Sequence, residues 1–276
     1  IDMISASTLN IGQNTSGSIT VSAPVDRASG NFFLVAQPGS TINVNATFAS
    51  ANSGVSMNAG AGGAVNIGAA VSAFNNVSLT AGAININAPV SSSNASVTVN
   101  GGAGGKVNVG AQVTAFSNIT LTSDNVNIAA PLVTTGSTVT IAPATAGLPV
   151  NVGTETAGAL SLTAVELALI DTDVLIIGSD TTGPLAVSAP FTSTILDQLT
   201  LRSGGAITQS PGATIALQKA SGGTLQAVSS SGGVNMLAAN EVPSFLFGSA
   251  SGAGSDFDLN NALPMKLQNV SVSAGG

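Results

Sequence analysis

The chain lacks cysteine, histidine, tryptophan and tyrosine, and charged residues make up only 6% of its 276 positions. Each absence removes a class of chemistry. Without histidine there is no Ser-His-Asp triad and no imidazole pH switch, and without cysteine no thiol nucleophile or disulfide. A zinc or haem site built on His and Cys is excluded on the same ground. Aromatic residues fall to 3%, all of them the nine Phe. Five Lys and Arg stand against twelve Asp and Glu, for a net charge of −7. No basic stripe is present to neutralise phosphates, so nucleic acid is not an expected partner. No apolar run approaches the ~20 residues of a spanning helix, so no membrane span is expected. Ile1-Asp2-Met3-Ile4 lacks the basic start of a signal peptide. The chain therefore reads as a mature segment or an excerpt of a longer repetitive polypeptide.

Low charge does not mean disorder here, because hydrophobic residues reach 44% and Val, Ile and Leu are abundant. They alternate with small polar residues, as in Ser18-Ile19-Thr20-Val21-Ser22, Ile84-Asn85-Ile86-Asn87 and Val97-Thr98-Val99-Asn100. A period of two is the signature of strands. Each run is short and bounded by Gly, Pro, Asn or Ser, which turn the chain. Ala164-Val165-Glu166-Leu167-Ala168-Leu169 is the best helical candidate, but its neighbours place it with the strands. An all-β fold is predicted.

Internal repeats select the architecture. Residues 53–94 align without a gap on 95–136, pairing Val55 with Val97, Gly62-Gly63 with Gly104-Gly105, Phe74 with Phe116 and Ala88-Pro89 with Ala130-Pro131. The series continues to Val139 and, one residue out of step, to Gly153. A second echo matches Ile11-Gly12 to Ile177-Gly178 and Val21-Ser22-Ala23-Pro24 to Val187-Ser188-Ala189-Pro190. A 42-residue period holding several short strands fits two coils of about 20 residues. One continuous β-solenoid over residues 1–276 is expected, a right-handed parallel β-helix of about 13 coils with an aliphatic ladder inside.

The phrases Thr8-Leu9-Asn10-Ile11-Gly12 and Ser16-Gly17-Ser18-Ile19-Thr20-Val21-Ser22-Ala23-Pro24, with Gly204-Gly205-Ala206-Ile207-Thr208-Gln209 and Gly232-Gly233-Val234-Asn235-Met236-Leu237, resemble the repetitive stem of filamentous-haemagglutinin-type exoproteins. These are the large adhesins of two-partner secretion in Gram-negative bacteria. The resemblance implies a right-handed parallel β-helix at the cell surface or outside the cell, serving adhesion, biofilm or filament building. The secretion domain of that family carries an Asn-Pro-Asn motif, and no Asn-Pro pair occurs in this chain. The resemblance therefore extends to the shaft and leaves the export route open.

Candidate chemistry is sparse. Asp171-Thr172-Asp173 puts two carboxylates on one side of a strand, with Asp180 close behind, a pattern that can serve acid/base work. At the second echo these positions are Ser5 and Ser7, and no cation lies nearby in sequence, so solvated surface is expected. Asp256-Phe257-Asp258 repeats the spacing and could offer oxygen ligands to calcium, but no calcium-roll nonapeptide accompanies it. The Gly clusters at 60–63 and 101–105 lack a following Gly-Lys-Ser/Thr and read as corners, with Lys106 replacing Ala64 of the sister repeat. Asn66 and Asn108 are either rungs of a hydrogen-bonded amide ladder or turn residues, with Asn151 one step out of register. Phe74 and Phe116 are expected to stack. Asn14, Asn45, Asn76, Asn94, Asn118 and Asn269 open Asn-x-Ser/Thr triplets that could accept glycans.

No catalytic residue, metal site or cofactor is nominated. The expected function is a non-enzymatic shaft of an extracellular filament or surface adhesin. Neither end of the chain shows a polar cap, which predicts continuation or end-to-end self-association. The resemblance to exoprotein stems implies contact with host or neighbouring cell surfaces. A carbohydrate-active β-helix enzyme is the alternative. An ice-binding solenoid is a third reading, hinted at by Thr120/Thr122 and Thr138/Thr140.

Overall fold

A computed structural model describes residues 6–252 and 255–273. The fold is all-β, a β-solenoid of parallel sheets with about 23 residues per turn. Coils longer than 20 residues reduce the expected 13 turns to about 11. The chain divides into two compact units, residues 1–139 and 140–276.

In the first unit one parallel sheet stacks Thr8–Gly12, Asn31–Val35, Val55–Ile67, Val77–Ile86, Val97–Val109 and Ile119–Ile128. A second sheet stacks six three-residue strands from Val25–Arg27 to Leu132–Thr134. Register explains the sequence period. Val55 lies opposite Val77 and Val77 opposite Val97, steps of 22 and 20 residues that together make the 42-residue echo. The inward residues form an unbroken aliphatic column, with Met57, Leu79, Val99 and Leu121 all at 0% exposure. Alternate residues face outward because successive side chains on a strand point to opposite faces.

The corners need glycine. Gly60, Gly62, Gly102 and Gly104 have positive φ, and a Cβ on Gly63 or Gly105 would collide with backbone atoms four residues back. Asn58 Oδ1 accepts the Gly60 N–H at 2.8 Å, and Asn100 repeats the bond to Gly102 at 2.9 Å. Both clusters are thus corners that bend one continuous strand, as the sequence suggested.

In the second unit the main sheet holds Val174–Gly178, Gln198–Ser203, Thr224–Ser229, Ser244–Ser251 and Lys266–Ser273. Its coil lengths vary more: Val174 lies opposite Gln198 and Gln198 opposite Thr224, steps of 24 and 26 residues, while Thr224 to Ser244 and Ser244 to Lys266 are steps of 20 and 22. The winding also takes a backward step. Val150–Gly153 pairs in parallel with Leu160–Thr163 on one edge and with Leu185–Val187 on the other. A six-residue loop, 154–159, therefore joins two parallel neighbours that would ordinarily need a crossover of a dozen residues or more. The 42-residue series is already one residue out of step at Asn151 and Gly153, so the extra residue lies between Val139 and Asn151, ahead of this loop.

Residues 164–167 correct the strand expected over Ala164–Leu169: they form a one-turn helix, Ala164–Leu167. Thr163 caps it, accepting the Glu166 N–H at 3.3 Å, while Glu166 Oε2 accepts the Thr163 N–H at 2.8 Å. This reciprocal capping box satisfies donors that a helix start leaves open. Among the described residues, no helix is long and apolar enough to cross a membrane.

Candidate functional site

Winding brings together charged groups that are far apart in sequence. Asp173 and Asp197 lie on successive coils, joined by a backbone bond from Asp197 N–H to Asp173 O at 2.8 Å. Lys219, from the coil beyond, closes the cluster with Nζ 2.8 Å from Asp197 Oδ2 and 3.4 Å from Asp173 Oδ1. Ser221 donates to Asp197 Oδ1 at 3.3 Å. The hydrogen bond from Lys219 holds the Asp197 carboxyl below the usual carboxylate range, against the smaller opposing effect of burial. The same bond holds the Lys219 ammonium above its ordinary value, with Asp173 adding to it. Both shifts favour the charged forms, whereas an acid/base pair working near neutrality requires pKa values moved towards that pH. The arrangement is a surface clamp across three coils.

This corrects the expectation that no cation lies near Asp173. It also separates the candidate pair: Asp173 joins the clamp, while Asp171 is exposed at the end of the short strand Ile170–Asp171. Of the echo positions, Ser7 is exposed and Ser5 lies outside the described residues. Asp180, the third candidate, is held by Arg202 through two bonds, Nε to Oδ1 at 3.1 Å and Nη2 to Oδ2 at 2.6 Å. Sequence reasoning missed both cations. The signal was spacing, since Asp180 to Arg202 and Asp197 to Lys219 are each 22 residues, about one coil apart.

Asp256 and Asp258 are both exposed. Among the described residues no three Asp or Glu side chains gather as a metal cluster.

The asparagines divide by role. Asn66 donates to Asn43 at 2.9 Å, Asn85 to Asn66 at 2.8 Å and Asn108 to Asn85 at 2.7 Å. This is the amide ladder, two rungs longer than the pair seen in sequence. The turn reading fails, because the ladder residues sit on extended strands and only glycine has positive φ among the described residues. Asn151 is not a rung. It is buried and donates to Thr154 O, Thr154 Oγ1 and Thr156 Oγ1, pinning the loop of the backward step.

A second amide site, not foreseen, is internal. Asn240 is fully buried; its Oδ1 accepts from Ile215 N–H at 2.9 Å and Gln209 Nε2 at 2.7 Å. Its Nδ2 donates to Gln209 Oε1, Ala238 O and Asn260 O at 2.9 to 3.1 Å. Asn and Gln side chains each carry donors and an acceptor, so the pair satisfies a polar interior that aliphatic residues would leave open.

Phe74 and Phe116 do not stack. Phe74 N–H bonds to Ser50 O, Ser93 N–H to Ala73 O and Phe116 N–H to Ser92 O, so the coil carrying Ser93 lies between the two rings. Both rings are exposed. Asn14, Asn45, Asn76, Asn94, Asn118 and Asn269 are all exposed.

No family model, curated protein or solved structure matches this chain. What stands is the coarser assignment, a β-helix repeat protein.

Proposed function

We propose that the chain is a non-enzymatic structural shaft, built for an extracellular filament or a cell-surface adhesin. The observation that carries this reading is the chain of amide bonds Asn43–Asn66–Asn85–Asn108, which ties four successive coils side chain to side chain. Such a ladder adds to axial cohesion and offers no reactive group. The charged side chains of the second unit support the same reading, since Lys219 and Arg202 are engaged with carboxylates in its clamps. The resemblance of the repeat wording to exoprotein stems supplies the extracellular, adhesive setting, with self-association into filaments as the working form.

Electron microscopy of the full chain, with a parallel assay for polysaccharide turnover, tests it. Elongated particles or filaments without depolymerising activity are expected. Isolated globular monomers would overturn the shaft. Turnover abolished by Asp171→Asn with Asp173→Asn would replace it with a carbohydrate-active enzyme.

A further inference from the structure

Phe33 stands, with Val35, on a sheet face that otherwise presents mainly amides and hydroxyls. It sits mid-strand in Asn31–Val35, where Phe32 and Leu34 are fully buried and alternation turns Phe33 outward, 36% exposed. Its cross-strand neighbours are Asn10 on one side and Ser56 on the other. A shallow groove adjoins the ring on each side. One, of about 450 Å³, is lined by Phe33 with Asn31, Ser56, Asn76 and Ser78. The other, of about 620 Å³, is lined by Phe33 with Asn10, Gln13, Asn14 and Thr15. Neither lining contains a charged residue.

The polar groups are partly pre-set. Asn31 Oδ1 accepts the Gly54 N–H at 3.0 Å and Asn76 Oδ1 accepts the Ser96 N–H at 3.1 Å. Each amide is thereby fixed to the next coil by its oxygen, which leaves its Nδ2 group to serve as a donor. The combination restricts the ligand. An ionic ligand would lose hydration against a lining with no counter-charge. A purely apolar one would cover amides and hydroxyls without pairing them. A neutral sugar ring meets both demands, with a C–H face for the aromatic ring and hydroxyls at its rim for the donors and acceptors.

We propose that this face is a binding site for a neutral oligosaccharide, with the Phe33 ring against a sugar face and the flanking amides and hydroxyls pairing with its hydroxyls. The site lies on one unit, within residues 10–78, and does not depend on the chain being a shaft.

The test titrates the full chain with cellohexaose, chitohexaose, maltohexaose and mannohexaose by calorimetry, with hexagalacturonate as the charged comparison. At least one neutral hexamer binds, and hexagalacturonate binds more weakly. Phe33→Ala weakens that hexamer about three- to tenfold, the range an aromatic contact supplies. Phe116→Ala removes another exposed ring, outside both grooves, and leaves the affinity unchanged. Because Phe33 is a surface residue, the variant keeps the wild-type far-ultraviolet spectrum. Failure of all four neutral hexamers to bind at millimolar concentration overturns the proposal, as does equal affinity in Phe33→Ala. Either result leaves the shaft reading untouched, since microscopy decides that separately.

Discussion

Removing the buried amide at position 240 probes most directly how the second unit holds its register. Asn240→Ala deprives the Ile215 N–H of its acceptor and the carbonyls of Ala238 and Asn260 of a donor. An unmet buried donor costs about 1–3 kcal/mol, and each ordinary bond contributes about 0.5–1.5 kcal/mol net. Gln209 keeps its bonds to Ala213 O and the Ala238 N–H, so part of the network survives. The sum, reduced for relaxation around a small new void, is about 3 kcal/mol. Urea unfolding gives the loss of stability, and hydrogen exchange gives its location. Peptides spanning 207–217 and 234–242 should lose protection first, because solenoid coils couple mainly to their neighbours. Asn235→Ala, at an exposed position on the same strand, should fall within about 0.5 kcal/mol of wild type. A loss below about 1 kcal/mol for Asn240→Ala, or protection lost evenly along the chain, would refute the argument.

Three further outcomes follow from the geometry. Asn85→Ala breaks two ladder bonds at a half-buried outward site, and should cost about 1–2 kcal/mol in urea unfolding. Thr163→Ala removes the cap of the one-turn helix and should cost about 1 kcal/mol, with exchange quickened in residues 164–168. The Lys219 clamp should give a stability plateau bounded on both sides. The lowered Asp197 pKa contributes stability above the ordinary aspartate value of about 3.9, lost as pH falls through the folded value. The raised Lys219 pKa contributes below the ordinary lysine value of about 10.4, lost as pH rises through the folded value. Lys219→Met should flatten both edges in a thermal-melt series against pH.

The coil was legible in sequence because inside and outside demand different residues at alternate positions. Val97, Val99, Val107 and Val109 are buried while Thr98 is exposed, and that contrast is visible without coordinates. The 42-residue echo was legible for the same reason, since stacked coils repeat the same contacts. Coil length was not, because a repeat of two unequal coils reports only their sum. Strand-like neighbours outweighed the local signal at Thr163-Ala164-Val165-Glu166, although the Ser/Thr-x-x-Glu pattern of a capping box was present. The clamps escaped notice because their partners become neighbours only after one full turn, or two for Asp173 and Lys219. The expected stacking of Phe74 on Phe116 failed on the same arithmetic: equivalent positions are two coils apart, and Ser93 comes between them.

The two units fix register by different means, and that difference can be measured. Small aliphatic side chains repeat so uniformly along a solenoid that they discriminate weakly between one register and the next, and a slip needs opposition from directional contacts. In the first unit the neutral Asn43–Asn108 ladder runs through four coils, and charge enters beside it where Asp124 Oδ2 accepts the Gly104 N–H at 2.6 Å and Arg27 donates to Ala6 O at 2.8 Å. In the second unit the Asp180–Arg202 and Asp173–Lys219–Asp197 clamps add charge at partly exposed sites. Salt shortens the reach of exposed charges, to ~3 Å at 1 M, and leaves neutral hydrogen bonds nearly unaffected. Raising sodium chloride from 0.05 to 1 M should therefore speed exchange in residues 197–203 and 219–229 while residues 77–86, on a ladder strand without a charged residue, hold their protection. Equal loosening of both segments would mean that the ion pairs contribute nothing specific to register, and that the aliphatic column alone is sufficient.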